Sequence, residues 1–357
     1  MTYNYPQLLE LYFVDAGRFS IKPFGSGLIN HTMLVEHEQD FKRFILQKIN
    51  THVFPEPGKI MGNIAAVGDY LFMHYPEYVF LKPFPALDGK QFVWYGQECF
   101  RLFPFVENSI SYDIPQNPEQ ARVAAAAFGK FSAHLNDFPS ETLNITIPDF
   151  HNLHKRYVSF QKALSEGNQQ RLAQTKSVAD ELLSYTHLVG TYTQIVETGA
   201  CNIRVMHHDT KISNVLFDQN GKVICLVDLD TIMPGYFISD VGDMMRNYLS
   251  AAGEEETDFS KITVRMDYFE ALATGYLSEM AAVLTPTEKT YFVYSGLFIT
   301  YMQALRFFTD YLMNDVYYPV KHPEHNLVRT QNQLVLLGKM VEVETEMEAF
   351  VSEHKLN

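Results

Sequence analysis

The feature that most constrains this chain lies between Met206 and Asp243. HHDTKISN (His207 to Asn214) leads into a short apolar run, Val215 to Phe217, then the turn Asp218-Gln219-Asn220-Gly221, then a second apolar run, Val223 to Val227, that ends at Asp228. Two short apolar runs around an Asn-Gly turn predict a β-hairpin. A hairpin brings its ends together, so Asn214 and Asp228 are expected neighbours although fourteen residues separate them. Asp209, five residues before Asn214, joins them. The purely structural alternative is that Asp209 and Asn214 cap turns while Asp228 and Asp230 end a strand.

Two carboxylates and an amide at one end of a hairpin suit phosphoryl transfer. That reaction asks for little covalent help; it needs an oriented acceptor hydroxyl and Mg²⁺ held against a triphosphate. The frame H-x-D-x-x-x-x-N, with a later Asp behind an apolar strand, has the order of the catalytic and metal loops of kinases. Asp209 is expected to position and deprotonate the acceptor hydroxyl. Asn214 and Asp228 offer the hard oxygen ligands that Mg²⁺ prefers. His207 is read as a brace of the loop. Lys211, two residues after Asp209, either offsets the charge of the transferred phosphoryl group or is a surface lysine.

The stretch Met206 to Asp243 resembles the aminoglycoside phosphotransferase and choline kinase superfamily. Within it, DTKISN, VDLDTIMPG (Val227 to Gly235), HPEHNLVRT (His322 to Thr330) and FILQKIN (Phe44 to Asn50) resemble the bacterial N-acetylhexosamine 1-kinases. The resemblance implies an α+β, two-lobed protein-kinase-like fold, with a mostly antiparallel sheet lobe followed by a larger, mainly helical lobe. It also implies ATP and Mg²⁺ as cofactors and an amino sugar phosphorylated on its anomeric hydroxyl. The alternatives are another acceptor on the same fold, such as an aminoglycoside, methylthioribose or an amino alcohol, and a nucleotide-binding pseudokinase that regulates a partner.

Composition agrees with an enzyme of this size. A chain of 357 residues, 46% hydrophobic and 14% aromatic, can bury one large core or two. The net charge of −14 comes without a long Lys/Arg cluster, which argues against a nucleic-acid or acidic-membrane surface. An acidic chain that binds ATP must supply positive charge locally, and Mg²⁺ at Asn214 and Asp228 would do so. Cys99, Cys201 and Cys225 are too few and too scattered for a disulfide framework or a zinc site. The N-terminus MTYNYPQLLELYF lacks a basic region and a cleavage site, and no apolar run reaches a membrane span. A soluble, cytoplasmic protein is expected.

Along the chain, Leu8 to Phe13 reads as a first helix, SIKPF and NHTMLVE as strands around Gly25-Ser26-Gly27, and Phe41 to Ile49 as the next strand. A helical stretch around Ile60 to Val67 follows, then strands over Tyr78 to Phe84, Gln91 to Tyr95 and Glu98 to Val106. From Pro118 the pattern turns helical: Glu119 to Leu135, Val178 to Glu197, Met266 to Leu284 and Lys289 to Leu312. The expected division is a nucleotide-binding lobe, 1–105, and a catalytic and acceptor-binding lobe, 106–357, hinged near Phe105 to Glu107. The acidic run around Glu254-Glu255-Glu256 reads as a solvated loop.

On the nucleotide side, Gly25, Ser26 and Gly27 form either a phosphate-covering loop or an ordinary hairpin turn. Asn30 and His31 stand just beyond it as polar residues facing the cleft. Kinases place a Lys on the third strand, but FILQ sets Gln47 at that position, and Lys48 in a strand points the other way. Gln47 is therefore the expected phosphate contact, with Lys48 swung inward by a bulge as the alternative; the resembled sugar kinases carry Gln here as well. Gly58 to Tyr75 contains no Glu, so the usual Lys–Glu pair is missing on both sides. The backbone of Phe103 to Val106, including Phe105, is the adenine hinge candidate.

On the acceptor side, Gln303, Arg306 and Asp310 recur three and four residues apart within an apolar helix, which puts them on one face. They are either its solvent face or, as the resemblance around RFFTDYL favours, cleft residues that bond sugar hydroxyls or an N-acetyl oxygen. Tyr317, Tyr318, His325 and Arg329 follow in a segment that Pro319 and Pro323 mark as loop, and Tyr317 is a candidate pocket wall.

Overall fold

The computed structural model describes residues 4–15, 18–25 and 29–353. Strands β1 (Phe19–Pro23), β2 (His31–His37), β3 (Arg43–Ile49), β4 (Val93–Tyr95) and β5 (Glu98–Pro104) form one antiparallel sheet in the order β1-β2-β3-β5-β4. Its period of two sorts the side chains. Met33, Val35, Phe44, Leu46, Phe100 and Leu102 share the outer face and pack with Leu8, Leu9 and Tyr12 in a small core. The residues between them, Thr32, Gln47, Arg101 and Phe103, therefore share the opposite, cleft face, with Gln47 directly across from Arg101.

Three expectations for this region need correction. The first helix, α1, is Tyr5–Leu9, starting earlier because Asn4 caps it and Pro6 suits its first turn. The next helix, α2 (Pro57–His74), is longer at both ends than the apolar stretch that suggested it. Tyr78 to Phe84 is not a strand: only Phe84 bridges the sheet, to Leu102. Pro83 and Pro85 lack the N–H groups that a ladder requires.

Beyond the sheet the chain is mainly helical. Helices α3 (Pro118–His134), α4 (Leu153–Glu166), α5 (Gln169–Gln174), α6 (Lys176–Ser184), α7 (His187–Thr198), α8 (Phe237–Tyr248), α9 (Met266–Met280), α10 (Pro286–Thr290), α11 (Phe292–Leu312), α12 (His325–Glu342) and α13 (Glu344–Glu353) surround the larger core. The expected helix over 178–197 is two, α6 and α7, and that over 289–312 is α10 followed by α11. In α10 the Thr285–Glu288 capping box ends in a buried Glu288 carboxylate that also binds Arg204, which sets that turn apart from the long helix after it. Helix α2 joins the large core rather than the outer-face one. Cys99, Cys201 and Cys225 are free and buried. Among the described residues no helix is long and apolar enough to cross a membrane.

Candidate active site

The expected hairpin is present as β7 (Val215–Phe217) and β8 (Val223–Leu226), and Val227 donates its N–H to the Asn214 carbonyl. Beside it, β6 (Arg204–Met206) pairs with β9 (Met233–Gly235). The loop carrying Asp209 is held from behind by α8. The Asp240 carboxylate accepts the N–H groups of His207 and His208 at 3.1 and 2.7 Å, and Asp243 accepts that of Thr210 at 2.7 Å. Tyr248 donates to the Thr210 carbonyl, and Thr231 to that of His207. His207 is fully buried and bonded to the Val227 carbonyl, linking the Asp209 loop to the Asp228 loop. Asp240 and Asp243 escaped sequence reasoning. The one available signal is two aspartates three apart, which is common.

The structure brings Asp209, Lys211, Asn214 and Asp228 together. Lys211 Nζ stands 2.8 Å from Asp209 Oδ2 and 3.9 Å from Asp228 Oδ2, bridging the two carboxylates. Burial alone would raise the Asp209 pKa, but the Lys211 ammonium, with His207 and the Asn214 amide, holds it below the ordinary value. Lys211 is correspondingly pushed up: the cost of burial is exceeded by the attraction of Asp209 and Asp228. Asp228 sits in a left-handed backbone conformation, φ 59°, at the end of the hairpin. Desolvation in the cleft, then the charges of Asp230 and Asp209, push its carboxyl up to about 6, even though 39% of the side chain reaches solvent.

A divalent cation fits this donor set. The Asn214 NH₂ donates to the Asp209 carbonyl at 2.9 Å, which leaves its amide oxygen, a hard ligand, outside that bond. Two carboxylates, Asp209 and Asp228, share a single lysine, and Asp230 adds its repulsion to that at Asp228, so added positive charge relieves it. Among the described residues no three His, Cys, Asp or Glu side chains are placed to hold a metal by themselves. Such a site matches Mg²⁺, which commonly takes one or two protein oxygens and completes its shell with phosphates and water.

On the sheet side, Gly25 has φ 74°, while Ser26 and Gly27 lie outside the described residues. His31 opens β2 and is exposed. Gln47 lies on the cleft face, but its Oε1 accepts two hydrogen bonds from Arg101, at 3.0 Å from Nε and 2.8 Å from Nη2, and its NH₂ donates to the Thr32 hydroxyl at 3.4 Å. Lys48 points to the other face and pairs with Glu98, so no bulge turns it inward. Arg101 and Asp230 form an ion pair at 2.5 Å, with 1% and 2% of their side chains exposed. Arg101 is not evident from sequence because it lies two strands further along the chain than Gln47, although the sheet order makes the two direct neighbours. The Phe103 ring lies on the cleft face, 5.0 Å from the Arg101 guanidinium carbon. The Phe105 N–H is committed to the Arg43 carbonyl, and its ring packs under the Arg43 guanidinium at 4.1 Å.

The acceptor side is assembled from more distant segments. Arg306 donates to Gln303 Oε1 at 3.1 Å, and its guanidinium carbon lies 5.9 Å from the Phe150 ring and 5.5 Å from that of Tyr318. The Phe150 ring is in turn 6.4 Å from that of His208, the residue before Asp209. Asp310 does not share this setting. It is buried, and its oxygens accept the N–H groups of Tyr317 and Tyr318 and the Asn326 amide at 2.8 to 2.9 Å. Helical spacing had grouped it with Arg306, but α11 is buried around nearly its whole circumference, so a polar residue there can face a loop as readily as a cleft. Asp310 thus anchors the loop that presents Tyr317, whose side chain is largely exposed. The acidic run is a loop but not merely solvated: Glu254 pairs with Arg246, and Glu255 with Lys321, His325 and Arg329.

The sequence profile of the phosphotransferase enzyme family matches residues 20–282 of this chain. Among solved structures, an aminoglycoside phosphotransferase from Alicyclobacillus acidocaldarius is similar with a TM-score of 0.64 at 13% identity, covering 99% of this chain and 98% of its own. A microcompartment-associated aminopropanol kinase gives 0.64 at 15% identity, covering 96% and 97%. A spectinomycin phosphotransferase in complex with ADP and spectinomycin gives 0.57 at 13% identity, covering 96% and 97%.

Proposed function

Because this chain belongs to the phosphotransferase enzyme family, we propose that it transfers the γ-phosphoryl group of ATP to the anomeric hydroxyl of an N-acetylhexosamine, N-acetylglucosamine or N-acetylgalactosamine, releasing ADP and the sugar 1-phosphate. In this reading Asp209, kept ionised beside Lys211, orients the hydroxyl and accepts its proton as the oxygen attacks phosphorus. Lys211, between Asp209 and Asp228, offsets charge on the transferring group. Asn214 and Asp228 would hold Mg²⁺, which would supply positive charge to the triphosphate. Gly25 and the Gln47 NH₂ stand on the triphosphate side, and Phe103 on the adenine side. His31 and Tyr317 flank the cleft as further acceptor contacts, and the protein works in the cytoplasm.

The observation that carries the acceptor is Arg306. Among the described residues it pairs with no carboxylate, and its guanidinium lies beside the rings of Phe150 and Tyr318. Aromatic faces and a planar donor suit a neutral, hydroxyl-rich ring, whereas a cationic amino alcohol or aminoglycoside would meet like charge there. Asp310, the carboxylate that could have attracted a cation, is fully engaged with its own loop. The test is ADP release with ATP, Mg²⁺ and a panel of sugars, aminoglycosides and amino alcohols. Turnover with N-acetylglucosamine or N-acetylgalactosamine but not glucosamine is expected. Turnover confined to a cationic acceptor would defeat the reading.

A further inference from the structure

Kinases place a Lys on the third strand and balance it with a Glu on the following helix. This chain has neither: Gln47 takes the strand position, and α2 contains no Glu. The cation has not vanished from that face. Arg101 on β5 is paired in register with Gln47, and residues directly opposite in an antiparallel ladder project to the same side. Its guanidinium therefore emerges beside the vacated position, where Nε and Nη2 both bond Gln47 Oε1.

The partner of this cation comes from elsewhere in the chain. Asp230, two residues past Asp228, accepts from Arg101 Nη1 at Oδ1 and from the Asn30 NH₂ at Oδ2, the latter at 2.8 Å. Asn30 precedes β2, and its own Oδ1 accepts the N–H of Asn50, just past β3. One carboxylate of the Asp228 loop is thus tied to three strands of the sheet. Helix α2 adds a parallel tie, because Asn63, 1% exposed, donates to the carbonyl of Ile232 on the same loop at 2.8 Å.

We propose that Arg101 and Asp230 form an interlobe ion pair that takes the place of the strand-to-helix Lys–Glu pair, as positioning residues that hold the metal loop, and with it Asp228, against the nucleotide lobe. The physical difference is one of reach. A Lys–Glu pair lies within one lobe, whereas this pair spans the cleft, so its formation and the placement of Asp228 are the same event. Gln47 then serves as the lining that fixes the Arg101 fork rather than as a stand-in for lysine. The proposal rests on the reading that Asp228 takes the divalent cation and is independent of which acceptor is used.

The test is calorimetric binding of ATP, with and without Mg²⁺, to wild type, Arg101→Lys and the charge-balanced pair Arg101→Met/Asp230→Asn, each checked for folding by thermal melting. A positioning role predicts that metal-free ATP affinity stays within about threefold, while the gain in affinity that Mg²⁺ confers falls by tenfold or more in the double variant. Arg101→Lys should recover part of that gain, since it keeps the charge and loses the fork. A pair that serves stability alone would lower the melting temperature and leave the Mg²⁺-dependent gain of the folded protein at its wild-type value, which would overturn the proposal. An equal loss with and without metal would overturn it as well, by making Arg101 a direct phosphate ligand. The acceptor plays no part in this binding, so failure of the sugar reading leaves the result unchanged.

Discussion

The two sides of the cleft are built in opposite ways. The side proposed to hold the metal is local: Asp209, Lys211, Asn214 and Asp228 come from one hairpin and the loop before it, locked by backbone hydrogen bonds to Asp240 and Asp243. The proposed acceptor side gathers Phe150, Arg306 and Tyr318 from segments far apart in sequence, held by the Asp310 anchor and the Glu255 clamp. A reaction common to many acceptors can rest on a short, self-contained unit. Recognition of one acceptor is left to surfaces that can change without disturbing that unit.

The sharpest way to break this contrast is at Asp228. Asp228→Ala should abolish Mg²⁺-dependent nucleotide binding measured by calorimetry, while Asp230→Asn, which disturbs a positioning residue, should weaken it less. If the two variants behave alike, Asp228 has no special place at the metal. Next in size is Asp209→Asn, expected to lower kcat by about 10² or more with nucleotide affinity retained, as loss of a positioned base does. Turnover within a few-fold of wild type would remove Asp209 from that role.

The acceptor side should respond differently. Arg306→Ala is expected to raise the sugar KM by roughly 10- to 100-fold, from the loss of a charged donor worth about 1.5–3 kcal/mol, with ATP KM little changed. Arg306→Lys should restore only part, because an ammonium lacks the planar fork. Unchanged sugar kinetics in both variants would make Arg306 a solvent-face residue and move the pocket elsewhere.

The smallest effect concerns stability. Burial lowers His208 from an ordinary value near 6.5 to about 4. Between those values the unfolded chain binds the extra proton, so stability must fall as pH drops from about 6.5 towards 4. Replacing this histidine, as in His208→Asn, should reduce that slope by up to one proton, about 1.4 kcal/mol per pH unit. Urea unfolding of both proteins at pH 7 and pH 5 measures it, and parallel pH dependences would show that His208 is not buried neutral.

The same contrast explains what could be read from sequence. The hairpin was legible because its turn chemistry and its strands lie within one short segment, so Asn214 and Asp228 could be brought together without any tertiary knowledge. The alternation along β3 puts Gln47 and Lys48 on opposite faces but leaves a bulge at Lys48 open, and the regular register with β5 removes that alternative. Arg101 and Asp230 could not be found in this way, since their pairing depends on strand order in the sheet and on how the lobes meet. Asp310 was misplaced for a related reason: i,i+4 spacing states which residues share a helix face but not what that face meets. The proline-flanked segment Tyr78 to Phe84 has strand-like residues, but Pro83 and Pro85 cannot donate to a ladder.

The account stands most directly on where the phosphate goes. Phosphorus–proton correlation NMR of the product made from ATP, Mg²⁺ and N-acetylglucosamine or N-acetylgalactosamine should show phosphorus coupled to the anomeric proton, with ADP formed in equal amount. Phosphorus coupled to the protons of the primary hydroxymethyl group, or ADP formed only when an amino alcohol or aminoglycoside replaces the sugar, would contradict it.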